Sequence, residues 1–174
     1  MRRPLLVMTA IVAIAAGLFG WVRMQQGFSA REEPSRVERL IALTLRRLAV
    51  PAGARAARNP LPASQEVVAE GRAHFADHCA SCHANNGSGE TPIGRGLYPR
   101  APDMRKKDTQ ALTDGELYWV IHNGIRLSGM PAWGDADHDE DSWKLVAFIR
   151  HLPSLTPQEE AEMEGLNPKS PTEL

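Results

Sequence analysis

Cys79-Ala80-Ser81-Cys82-His83 carries the densest chemistry in this 174-residue chain: two thiols three positions apart, followed at once by an imidazole. On one helical turn both sulfurs can reach one edge of a porphyrin and form thioether bonds with its vinyl groups. The adjacent imidazole is then drawn beneath the ring as an iron ligand. The pentapeptide therefore reads as a covalent haem site, with Cys79 and Cys82 as tethers and His83 as proximal ligand. Two rivals share the spacing. Structural zinc would need a further pair of ligands of this kind, and the chain has only 2 cysteines. A thioredoxin-like dithiol should follow a strand and open a helix, whereas the residues before Cys79 read as a helix that ends there.

The elements that must position this pentapeptide are short helices with clear start signals. Ser64 can cap a helix running through Val67, Val68, Gly71 and Phe75 to the first cysteine. After it, residues 84–111 are rich in Gly, Pro, Asn and basic side chains and have no periodicity. Thr113 and Glu116 form a capping box that opens a helix through Leu117, Tyr118, Trp119, Val120 and Ile121, stopping at Asn123-Gly124. A further helix spans Ser142 to Leu152 and is ended by Pro153. Thr156-Pro157-Gln158-Glu159 caps a short acidic helix whose acids read as a solvated face, and the chain from Asn167 reads as a frayed end.

From Ser64 to about Pro153 the chain resembles the class I cytochromes c. Gly71 and Phe75 stand eight and four residues before Cys79, as in that family's first helix. Leu145 and Phe148 stand where the family places the partners of that glycine and aromatic on its last helix. The resemblance also accounts for the long loop, which in the family wraps the haem edge. Pro102-Asp103-Met104 is similar to the proline-x-leucine segment whose backbone carbonyl accepts a hydrogen bond from the proximal histidine; Pro92 and Pro99 are substitutes for Pro102. Ser128-Gly129-Met130-Pro131-Ala132-Trp133 is similar to the distal loop, in which a methionine sulfur is the sixth ligand. That assigns Met130 the role, with His122 and Met104 as rivals. His74, His78, His138 and His151 read as surface or packing residues.

The resemblance implies an all-α, class I cytochrome c fold: three main helices around one covalently bound haem c, preceded by a transmembrane helix and a connector helix. It also implies His83 and Met130 as the two iron ligands. A six-coordinate iron has no open position for a small-molecule substrate, so the implied activity is electron transfer by a carrier and not catalysis. Implied partners are redox proteins such as an oxidase, a quinol-oxidising complex or a dehydrogenase. A haem subunit of a dehydrogenase or oxidase complex is the alternative, and a five-coordinate gas sensor a third reading. A two-haem peroxidase would require a second C-x-x-C-H, which the sequence lacks.

The N-terminus carries a separate signal. Arg2 and Arg3 precede an apolar run, Leu5 to Val22, without a charge; at ~1.5 Å per residue such a run nearly crosses a ~30 Å hydrocarbon core. An uncleaved anchor competes with a cleaved export signal. Cutting after Ala13-Ile14-Ala15 would strand Leu18, Phe19, Trp21 and Val22 on the mature end, and Phe28 spoils a site at Ala30. The basic N-terminus favours a single pass through the inner membrane, with the remainder in the periplasm.

Residues 1–23 thus read as anchor or signal, 24–63 as connector helix and Pro-rich linker, 64–153 as the cytochrome domain, and 154–174 as a short acidic helix and tail. The connector begins at a capping box, Ser35 and Glu38, with Val37, Leu40, Ile41, Thr44 and Leu48 on one face and Arg36, Arg39, Arg46 and Arg47 beside them. Arginines dominate from Arg23 to Arg58 and acids from Asp135 onward, yet the net charge is −1, which supports no nucleic-acid reading.

Overall fold

The computed structural model describes residues 2–26, 29, 32–134 and 139–168. The readings placed on Phe28, Ala30, Asp135, His138 and the tail from residue 169 lie outside them. The chain divides into two units, Met1–Glu32 and Glu33–Leu174, and among the described residues it is all-helical, with no strand.

The first unit is one helix, α1, Arg2–Gln26. Within it Leu6–Gln25, 20 residues, is long and apolar enough to cross a membrane by length and composition; an export signal meets the same criteria. Its described apolar side chains, Leu6 through Val22, are exposed on every side, as expected of a helix whose solvent would be lipid.

In the second unit α2, Arg36–Ala49, begins at a complete capping box: Ser35 accepts from the Glu38 N–H, and Glu38 accepts from the Ser35 N–H at 2.6 Å. A 3-10 turn, Ala52–Ala56, follows. The core is then built from α3, Gln65–His74; α7, Asp114–Asn123; and α8, Asp139–His151. Three short helices lie between α3 and α7: α4, Ala80–His83; α5, Pro92–Gly96; and α6, Lys107–Gln110. The chain closes with a 3-10 turn, Leu152–Ser154, and α9, Pro157–Glu164.

The tightest junction joins α3 to α8. A Cβ added at Gly71 would lie 2.1 Å from the Lys144 carbonyl oxygen and 3.1 Å from Phe148 Cβ, so only glycine lets the two backbones meet. One turn on, Phe75 and Phe148 pack ring to ring at 5.1 Å and 58°, within the tilted geometries aromatic pairs favour. Phe75, Leu145, Val146, Phe148 and Leu152 are all at most 2% exposed. The expected meeting of Gly71 and Phe75 with the last helix is therefore present, with Lys144 backbone, not Leu145, opposite the glycine. Helix α7 joins the pair through Tyr118, which stacks on Trp143 at 4.2 Å, and through Leu117 and Ile121, which are buried.

Arg150 ties the ends of α6, α7 and α8 together. Its guanidinium donates to the Gln110 carbonyl at 2.8 Å, the Leu112 carbonyl at 2.5 Å and Asp114 at 2.9 Å. Both capping boxes expected at Thr113 and Thr156 are formed. Helix α9 is more than a solvated acidic face: Met163 is fully buried, Glu159 and Glu162 pair with Arg72, and Glu159 also bonds His151 at 2.9 Å.

The segment that reads as a linker also lies against the helices. Asn59 Nδ2 donates to the Trp143 carbonyl at 2.9 Å, Arg55 pairs with Glu116 at 3.0 Å, and a Cβ at Gly115 would lie 1.9 Å from the Ala54 carbonyl oxygen. Farther back, Arg46 donates to the Asp108 carbonyl at 3.1 Å and Val50 is buried.

Substitutions at three positions measure these constraints by denaturant or thermal unfolding of the haem-loaded chain. Phe148→Ala should destabilise by ~3–5 kcal/mol through lost burial and a cavity, and Gly71→Val should destabilise as well because the added atoms must displace backbone. Arg150→Ala should cost about 1.5–3 kcal/mol, since it leaves buried carbonyls without a charged donor. Arg150→Lys should recover only part, because a single ammonium cannot reproduce the planar fork.

Candidate functional site

Helix α3 delivers the C-x-x-C-H turn. Ser64 Oγ accepts from the Val67 N–H at 3.2 Å and starts the helix. At its end the chain widens into a π turn, Phe75–Cys79, in which the Ala80 N–H donates to the Phe75 carbonyl. Such single wide turns recur at functional sites because they shift the register of the residues beyond them. Here the turn resets the direction in which α4 presents Cys79, Cys82 and His83. Immediately afterwards Ala84 adopts φ 59°, a left-handed conformation uncommon outside glycine, and the chain leaves the helix axis beside the imidazole.

Both cysteines are free and partly buried. Desolvation, with a smaller contribution from Cys82, pushes the Cys79 thiol up to about 12. A dithiol redox pair or thiolate metal site would need the opposite shift at its reactive sulfur. Among the described residues no group of three or more His, Cys, Asp or Glu could hold a metal ion.

His83 is 8% exposed. Burial lowers its pKa to about 4, opposed by the Pro102 carbonyl, and keeps the imidazole in the neutral form that can ligate. Nδ1 is sealed from solvent and has no partner in full hydrogen-bond geometry. The Pro102 carbonyl lies close enough to act on the ring as an acceptor does, but falls short of that geometry. Phe75 flanks the imidazole at 6.4 Å between centroids.

The long loop is stitched to this turn by its backbone. The Gly89 N–H donates to the His83 carbonyl at 2.8 Å, the Met104 N–H to the Gly87 carbonyl at 2.8 Å, and the Ala101 N–H to the Gly94 carbonyl at 3.1 Å. Thr91 caps α5 and its hydroxyl also donates to the Cys82 carbonyl at 3.2 Å. A Cβ at Gly94 would stand 2.2 Å from that same carbonyl oxygen. Next to Pro102, Asp103 takes a two-pronged contact from Arg105, both bonds 2.9 Å. That contact, foremost, holds the Asp103 carboxyl at about 2. Neither Gly94 nor the Asp103–Arg105 pair stands out in the sequence, although Thr91-Pro92 is a recognisable helix start that places Gly94 in the first turn.

On the other side, the loop after α7 folds back along that helix. The Ile125 N–H donates to the Met130 carbonyl at 3.1 Å, and the Trp133 and Gly134 N–H groups donate to Ile121 and His122 at 3.0 and 2.9 Å. Gly124, at φ 65°, permits the return, since a Cβ there would lie 2.6 Å from Pro131. Met130 is partly buried and stands outside the hydrophobic core, whereas Met104 is part of that core. His122 stacks on Tyr118 at 5.2 Å and lies 3.7 Å from Asp139; the Tyr118 hydroxyl also bonds Asp139. His74 stacks on His78, and His78 meets the edge of Trp133 at 5.5 Å.

Residues 66–149 match the sequence family described as cytochrome c oxidase, cbb3-type, subunit III. The match runs from the first turn of α3 to near the end of α8 and so contains the whole C-x-x-C-H turn, the stitched loop and the α3–α8 crossing. A cytochrome c domain implies covalently bound haem c and its iron, and through them electron transfer. All-helical among its described residues, and built around a buried neutral histidine one residue beyond paired thiols, the chain contains a c-type cytochrome domain.

Proposed function

We propose that the chain carries one haem c on the outer face of the inner membrane and passes electrons without transforming a substrate. The observation that carries this reading is His83: a buried, neutral imidazole at the end of a turn with two free thiols, faced by the Pro102 carbonyl. In it Cys79 and Cys82 are the thioether tethers, and His83 Nδ1 donates to Pro102 once the loop tightens, leaving Nε2 for the iron. Such a bond fixes the tautomer and raises the basicity of the ligand. Bound haem supplies an iron that changes oxidation state.

Met130 is the sixth ligand in this reading. The rivals are committed elsewhere, Met104 in the core and His122 against Tyr118 and Asp139. Pro131 keeps Met130 in an extended backbone, and Gly129, whose added Cβ would lie 2.5 Å from Leu97, lets the loop approach its neighbours. A thioether favours ferrous iron and raises the potential. The protein's part is to hold both ligands, keep water from the imidazole and leave no position for a substrate.

A second reading, the electron-transfer subunit of an oxidase complex, is favoured by the family's description as subunit III of a cbb3-type oxidase. In both readings α1 stays in the membrane as a single-pass anchor, with Arg2 and Arg3 on the cytoplasmic side. Co-purification from native membranes in mild detergent separates the two, since a stable complex travels with its other subunits and a relay does not.

Met130→Ala tests the ligand set. The wild-type spectrum should be low-spin and indifferent to carbon monoxide; the variant should bind it, retain covalent haem through Cys79 and Cys82, and show a lower potential. A variant that behaves like wild type removes Met130 from the iron. For the anchor, the chain should resist carbonate extraction and its mature mass should include α1. A soluble product lacking that helix would show an export signal instead.

A further inference from the structure

Helix α2 faces the wrong way for a helix that belongs to a globular unit. Its inner side is Glu38, Ala42, Leu43, Arg46 and Ala49, all at least partly covered, and Arg46 bonds the Asp108 carbonyl at 3.1 Å. Its outer side is apolar: Val37, Leu40, Ile41, Leu45 and Leu48 are between 53% and 75% exposed. These residues recur at the three- and four-residue spacing of one helix face. The domain cannot cover them, because the opposite face is already against it.

We propose that this outer face lies in the headgroup layer of the same membrane that α1 spans, and so sets how the cytochrome domain stands on that membrane. The inference rests on the anchor reading. Only nine residues, 27–35, separate Gln26 from Arg36 in the sequence. The exposed residues of α2 include no acid, while Arg36 and Arg47 sit on the rim of the apolar face. An apolar stripe of aliphatic side chains with arginines at its border is the pattern of a helix lying in a lipid interface, its arginines at anionic headgroups.

The contacts that hold α2 make this consequential. Arg46 and Arg39 meet Asp108, Arg55 meets Glu116 at 3.0 Å, Glu33 meets Arg100 at 2.6 Å, and the Ala54 carbonyl packs against Gly115. Fixing α2 on the bilayer therefore also fixes α6, α7 and the loop that carries Arg100.

Introduced cysteines provide the test in the full-length holoprotein, where thioether bonds leave no other free thiol. Ile41→Cys, Leu48→Cys, Gly17→Cys in α1 and Gln158→Cys on α9 are labelled with a charged maleimide. The expected result, in nanodiscs of phosphatidylcholine and phosphatidylglycerol without other proteins, is loss of labelling at positions 41, 48 and 17, with position 158 reactive. Labelling at 41 and 48 with 17 protected overturns the proposal and leaves the anchor standing. Reactivity at 17 shows instead that the anchor reading has failed, and the proposal with it. Protection at 41 and 48 in native membranes but not in nanodiscs assigns the face to a protein partner and overturns it too. Combining Arg36→Gln and Arg47→Gln with Ile41→Cys should restore labelling in part; unchanged protection would overturn the placement of these arginines at anionic headgroups.

Discussion

The approach of α3 to α8 at Gly71 is the constraint on which the remainder depends. Because the Lys144 carbonyl oxygen occupies the space a side chain would need, the two backbones touch. That contact brings Phe75 onto Phe148 and buries the base of the C-x-x-C-H turn. Separate the helices by the width of one methyl group and the π turn from Phe75 to Cys79 loses its backing. The chemistry of Cys79, Cys82 and His83 is thus held from behind, by backbone contact and packed aromatic rings.

In front, the site is held by backbone. Cys82 and His83 give their carbonyls to Thr91 and Gly89, and an ion pair lies one residue from the Pro102 carbonyl. This division suits an electron carrier. Backbone contacts leave few ionisable groups beside the imidazole, and burial keeps the imidazole neutral. A centre that must change oxidation state with little rearrangement gains from surroundings that do not change protonation with it.

Much of this was legible in the sequence because its signals are local. Capping at Ser35, Ser64, Thr113 and Thr156 depends on residues within one turn, and all four caps are formed. The close crossing was legible through the resemblance to class I cytochromes c, which the offsets of Gly71 and Phe75 from Cys79 carry. What was not legible depends on partners distant in sequence. The burial of Met163 and the pairing of Arg72 with Glu159 and Glu162 turn an apparently solvated acidic helix into a packed one. Likewise Asn59, read as part of a flexible linker, bonds a carbonyl 84 residues away. The π turn left no trace in the amphipathic pattern, since one wide turn shifts the phase by less than the spread of an apolar face.

The order in which the chain is made gives the α3–α8 crossing a further meaning. Gly71 is synthesised before the thiols, and Lys144 long after them, so the attachment turn emerges before the helix that will bury its base. Contacts this distant in sequence form late, after loop closure over many residues has been overcome. Until then the cysteines are those of an open segment, without the desolvation that raises the Cys79 thiol in the folded unit. The junction that buries the base of the attachment turn thus waits on a helix made after the thiols.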